Sequence, residues 1–392
     1  MKRAGIITAT IIFILFSFYG INITLGALTG KDIRNLEYFI GSNDNAALFE
    51  SDQYCSVKSR IPGLEQSKDP ELLALYKFEE VCQSFASDSM MFFTTMPNSI
   101  GNAQDLARSM SNKLREFSKY NVKPLVIIEP ETQWGLIDFT EFGQGFYDPW
   151  IEEYFKSLLH LGVTDEIMGT WVPFPEANLP YWNRSNSTPE DFGIIVNKYL
   201  SILRKYFPNT KTSILLNSAT YESDDFDWAN GDYLSLIPYV EKIEPGLIDS
   251  FGLQGFPWSG PQGSRSRKIM DPSEYLNYKL AVEAAEKIGV KKIWFNTGSF
   301  AAKYTNDPDS VIYIDANTRK GQLLSVIEEA NRLVNLGYEV SVNIFAEDKS
   351  ATQEATNWSY HDSESSLVLI DFLNKAEQNN LNVSFYDKVV EE

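Results

Sequence analysis

A (β/α)8 barrel is the fold class predicted for this 392-residue chain. Three observations predict it. Short apolar runs alternate with amphipathic helical stripes from about Tyr38 onward. There are eight such runs, most of them bounded by Pro, Gly or Asn. Hydrophobic residues make up 43% of the sequence and no domain-sized linker divides them, so one large core is expected.

The strand-like runs fall at residues 38–40, 90–94, 124–128, 167–172, 212–216, 250–253, 292–295 and 339–345. Helical stripes lie between them. Residues 103–120 put Leu106, Met110, Leu114 and Phe117 on one face, and 148–161 do the same with Ile151, Tyr154, Phe155 and Leu158. The stretch 188–206 opens with Thr188 as N-cap, Pro189 at the first helical position and two acids after it. Stripes at 273–288, 321–336 and 363–378 continue the alternation. A doubly wound open sheet fits less well, because no Gly-rich phosphate turn follows a strand.

The first residues, Met1-Lys2-Arg3, precede an apolar run to about Leu28. That pattern is an export signal or an N-terminal membrane anchor over 1–28, leaving 29–392 as one extracytoplasmic barrel domain. In an oxidising compartment the two cysteines, Cys55 and Cys82, are expected to pair as a disulfide. The net charge of -19 argues against nucleic acid or an anionic membrane surface as a partner, while neutral polysaccharide is compatible. Any membrane contact is assigned to the N-terminal segment. With only His160 and His361, no histidine-built metal site is expected, and no cofactor is implied.

Barrel sites form at the C-terminal ends of the strands, and the residues there are acids, amides and tryptophans. The third run ends at Glu129, with Glu131 and Trp134 just after. The fourth begins its exit with Trp171 and leads to Glu176, Asn178, Tyr181 and Trp182. Asn217, Gln254 with Trp258, Asn296 and Glu347 follow the next four. Aromatic rings stack on the apolar faces of pyranoses, amides bond hydroxyls, and a carboxyl set among rings can hold a proton at neutral pH. The expected substrate-binding residues are therefore Asn178, Tyr181, Trp182, Trp134, Trp171, Trp258 and Asn296.

Three stretches resemble glycoside hydrolase family 26, the β-mannanase and lichenase family of a large retaining clan of barrels. Residues 124–150, PLVIIEPETQWGLIDFTEFGQGFYDPW, are similar to its strand ending in Glu-Pro and its G-x-Y/F-D helix entry. Glu176-Ala177-Asn178-Leu179-Pro180-Tyr181-Trp182 resembles its H-E-M-N-G-x-W element, and the Thr188-Pro189-Glu190-Asp191 helix start is also similar. The resemblance implies that Glu176, at the end of a fourth strand, is the general acid/base. It departs from the family at Pro175, which stands where histidine is usual. It departs again at Asn296, where the seventh-strand nucleophilic glutamate is expected.

An amide cannot serve as that nucleophile, because the covalent step needs a carboxylate. Glu347 and Glu129 are the leading replacements, beside Glu131 and Glu222. The function expected is hydrolysis of a β-linked polysaccharide of mannan or glucan type, with Glu176 as proton donor. The alternative, which Asn296 motivates, is a catalytically silent glycan-binding barrel of an envelope or exopolysaccharide system.

Overall fold

Strands that are apolar on both faces need cover on both sides, and here they close on themselves. In the computed structural model eight parallel strands form a closed barrel: β1 Ser89–Thr94, β2 Lys123–Ile128, β3 Thr170–Pro173, β4 Lys211–Asn217, β5 Ser250–Gln254, β6 Lys292–Thr297, β7 Glu339–Phe345 and β8 Asn382–Tyr386. Each strand pairs with its sequence neighbours, and β1 closes the ring against β8. The structure describes residues 61–81, 89–133, 135–178, 188–218, 236–257, 275–303, 312–349, 356–360 and 363–387. All of these belong to one compact unit, Tyr54–Glu392.

The strand count differs from the sequence expectation at both ends. The run at 38–40 lies outside the described residues, and Asn382–Tyr386 is the eighth barrel strand. Every expected strand number therefore drops by one. Glu176 follows the third strand rather than the fourth, and Asn296 lies on the sixth rather than the seventh. The seventh strand is Glu339–Phe345, and Glu347 comes two residues after it.

Seven longer helices pack around the barrel: α1 Pro70–Val81, α2 Ile100–Lys119, α3 Asp148–His160, α4 Pro189–Tyr206, α5 Tyr278–Ile288, α6 Ala316–Asn335 and α7 Ser363–Gln378. Their starts are written in the sequence. Ser99 accepts from Asn102 N, and Asp315 accepts from Thr318 N. Thr188 and Asp191 complete a reciprocal capping box. Each such cap stabilises its helix by about 1 kcal/mol. α1 was not foreseen. It precedes β1, and its Phe78 ring stacks on Phe385 of β8 at 4.3 Å.

Alternation along each strand sorts the core into two layers. Outward residues such as Phe92, Val126, Trp171, Leu216, Phe251, Phe295 and Val342 meet the helices. Inward residues fill the barrel: Met91, Leu125, Ile127, Val172, Leu215 and Trp294. The Trp294 ring lies against Gly252, where an added Cβ would come within 2.5 Å of it. Its indole donates to Ser213 Oγ at 2.8 Å. A cavity of about 400 Å³ opens at the strands' N-terminal ends, lined by Lys123, Lys211 and Lys292 among others. Among the described residues no helix is long and apolar enough to cross a membrane. The expected signal or anchor segment lies outside them.

Candidate active site

After β3 the chain makes an abrupt turn through Pro173-Phe174-Pro175-Glu176. Phe174 and Glu176 both adopt left-handed backbone angles, φ 54° and 56°. Among the described residues the other two non-glycine residues in that region are asparagines, which tolerate it well. A phenylalanine and a glutamate tolerate it less well, at a cost on the order of 1 kcal/mol each. Neighbouring strands hold the turn. Phe174 N donates to Ile128 O, and Glu176 N donates to Leu215 O, both at 2.8 Å. Strain concentrated on a carboxylate at the C-terminal end of a barrel marks a candidate site.

Asn178 completes the hold. Its Nδ2 donates to Asn217 O at 2.8 Å, and its Oδ1 accepts from Asn217 N at 2.9 Å. The side chain thus copies a strand pairing and ties the turn to the end of β4. It is 1% exposed, so it positions Glu176 rather than lining a cleft as expected.

Two amides serve Glu176 Oε1. Asn217 Nδ2 donates to it at 3.2 Å, and Gln254 Nε2 donates to it as well. Behind Gln254 its register partners on the next strands are all polar. Asn296 Nδ2 donates to Gln254 Oε1 at 2.6 Å, and Asn343 Nδ2 donates to Asn296 Oδ1 at 2.7 Å. Ser384 Oγ donates to Asn343 Oδ1 at 2.8 Å. Asn217, Gln254, Asn296, Asn343 and Ser384 are register partners on β4 to β8, so they form one level of the barrel wall. Asn296, expected to contact substrate, is 2% exposed and sits within this row.

A second group stands where β7, β8 and β2 end. Glu347 is 5% exposed, and the Tyr386 hydroxyl of β8 hydrogen-bonds its side chain. Burial raises the Tyr386 phenol far above its usual range, and the charges of Glu347, Glu71 and Glu129 add to the rise. Tyr386 is therefore a proton donor at all ordinary pH values. Glu129 extends from β2 and its N–H donates to Thr94 O at 2.9 Å. Rings surround the group: Phe93 lies 4.8 Å and Phe345 4.7 Å from Tyr386. Trp358 lies 4.9 Å from Phe256 and 5.4 Å from Phe300.

Trp171 was expected on the sugar-facing side and is not there. It points outward from β3, fully buried, with its ring 5.5 Å from Phe155 and its indole donating to Met168 O. Trp134, Tyr181, Trp182, Trp258, Glu222, Cys55 and Cys82 lie outside the described residues. Tyr386, Trp358 and Asn343 were not singled out as site residues beforehand, and Gln254 was placed at the rim without a role of its own. Among the described residues no group of three or more His, Cys, Asp or Glu side chains gathers to hold a metal ion.

No protein-family model and no curated protein matches the chain. Solved structures do. The β-glucosidase from Thermotoga maritima in complex with noeuromycin superposes with TM-score 0.51 at 11% identity, over 84% of this chain and 94% of that one. The same enzyme in complex with galacto-hydroximolactam gives 0.51 at 12% identity over the same shares. In complex with castanospermine it gives 0.50 at 11%. At this identity the likeness is one of fold: the chain has the barrel architecture of these glycoside hydrolases.

Proposed function

We propose that this protein is an exported hydrolase of β-linked polysaccharide, with Glu176 as the proton donor and Glu347 as the second carboxylate. One observation carries the reading. A strained turn, an asparagine clamp and two amide donors are all devoted to holding a single carboxylate at the C-terminal end of the barrel. Glycoside hydrolysis needs an acid and a second carboxylate across the scissile bond, and the two amide donors favour the ionised Glu176 that remains once its proton has passed to the leaving group. Glu347 extends from the strand four places around the ring from β3. The corrected strand count sets Glu347 just after the seventh strand, where the resemblance expects the nucleophile, and sets Glu176 after the third rather than the fourth, so Glu176 rests on the geometry of its turn and not on the resemblance. Glu129 is the third acid of the rim.

The β-glucosidases on which the chain superposes support β-glycosidase chemistry. Family 26 itself rests on the sequence motifs alone. Export rests on the N-terminal segment, and sugar binding on the aromatic residues near Glu347. The silent-binder reading drew on Asn296 at a nucleophile position, and Asn296 belongs to the sixth strand. The test is a panel of soluble mannans, glucans and xylans, scored for both binding and reducing-end release. Release from at least one of them is expected. Binding without release from any would replace the hydrolase with a glycan-binding protein.

A further inference from the structure

The row of amides behind Glu176 has a direction. A side-chain amide donates at one end and accepts at the other, whereas an ionised carboxylate only accepts. Glu176 therefore requires Gln254 to present its nitrogen. Gln254 then presents its oxygen to β6, where Asn296 donates, and the same order repeats at Asn343. Ser384 ends the row, and a hydroxyl can turn to meet either need. An amide's oxygen and nitrogen ends are nearly equal in size, so packing does not choose between the two directions. The choice is electrostatic and is made at Glu176.

We infer that Gln254, Asn296, Asn343 and Ser384 form a one-way hydrogen-bond relay that fixes the donor offered to Glu176, with Asn296 a positioning residue. The four are buried or half-buried neighbours in one register level, and no member carries a charge. The far end is reachable, because Asn343 and Ser384 line the cavity at the opposite mouth of the barrel. The relay explains why an amide suits position 296. An acid there would accept from Asn343 and have nothing to donate to Gln254. Gln254 would turn over and set its oxygen against Glu176. The relay stands on geometry alone, while its importance for catalysis rests on the hydrolase reading.

The experiment follows the side-chain NH2 resonances of Gln254 and Asn296 against pH in the full chain, beside the carboxyl carbon resonance of Glu176. Both amides are expected to move with the Glu176 midpoint, Gln254 further than Asn296, and neither to move in Glu176→Gln. The uncharged variant Asn296→Leu should raise the Glu176 midpoint by a few tenths of a pH unit. Asn296→Asp should raise it by about one pH unit, since a like charge is added as well. Amides that ignore Glu176, or a folded Asn296→Leu with an unmoved midpoint, would overturn the relay. If Asn296→Leu does not fold, the unmutated protein decides through its amides. Coupled amides in a protein that cleaves no β-glycan would leave the relay standing and remove the hydrolase.

Discussion

The barrel interior has two parts built from opposite materials, an apolar fill to which Leu215, Trp294, Phe345 and Tyr386 of β4 to β8 also belong, and one polar row. On β1 to β3 the inward side chains are Met91, Phe93, Leu125, Ile127 and Val172. Along one register row of β4 to β8 they are Asn217, Gln254, Asn296, Asn343 and Ser384. The border is marked by Asn343 Nδ2, which also reaches Met91 Sδ at 3.6 Å. A sulfur is a weak acceptor, so little is gained there. The apolar fill is tied to nothing in particular and contributes burial. The polar row converges on one carboxylate and contributes direction. A barrel that needed only stability would use the first material throughout, because satisfied buried amides add little net stability over well-packed apolar residues.

Removing the carboxylates should separate the two parts most sharply. Glu176→Gln is expected to lower turnover of a polysaccharide by about 10²–10⁴-fold while glycan binding and folding persist. With an aryl glycoside the leaving group departs without a proton, so the loss should shrink. Glu347→Gln should lose activity on both substrates. A Glu176→Gln variant as active as the parent on polysaccharide would remove Glu176 from the mechanism and leave the polar row without a purpose.

The converse change lies in the apolar fill. Ile127 is fully buried, and Ile127→Ala should cost about 2–5 kcal/mol of stability, read from urea unfolding. The folded fraction should keep its turnover number. A large fall in turnover from this variant would mean that the two parts are not functionally separate.

These parts were legible in the sequence to different degrees. The helical stripes and the Thr188 cap come from spacings of three and four residues, which local reading detects. The eighth strand, Asn-Val-Ser-Phe-Tyr, is short and half polar, and it was missed for that reason. Trp171 was turned the wrong way because both faces of a parallel strand are apolar, so composition does not tell inside from outside. The relay was least legible. Its members stand about forty residues apart, and only strand register brings them together. A signal was present, though: Leu-Leu-Asn217, Gly-Leu-Gln254 and Trp-Phe-Asn296 each put an amide two residues beyond an inward position.

A smaller difference concerns pH. The amides do not titrate, but Glu71 of α1 does. Burial pushes the Glu71 carboxyl of α1 up to about 7, against the pull of Lys113, with Asp69 adding to the rise. Lys113 is bonded to Glu71 and lies 3.2 Å from Asp69. Between 4.5 and 7 the folded chain holds this proton and the unfolded chain does not, so stability falls as pH rises through that window. The loss should be about 3 kcal/mol across the window, seen as the difference between the parent and Glu71→Gln in urea titrations. Parallel curves for the two proteins would show that Glu71 is not the group responsible.

The smallest expected effect tests whether the second carboxylate is guided as the first one is. Tyr386 gives Glu347 a donor from a phenol that burial keeps protonated. Tyr386→Phe removes that hydroxyl and retains the ring between Phe93 and Phe345. A hydrogen bond to a charged group is worth about 1.5–3 kcal/mol, so turnover should fall by at least about tenfold. Unfolding in urea should move little, because the ring contacts persist. Normal turnover with normal stability would mean that Glu347 does not depend on the Tyr386 hydroxyl, in contrast to Glu176 and its row of amides.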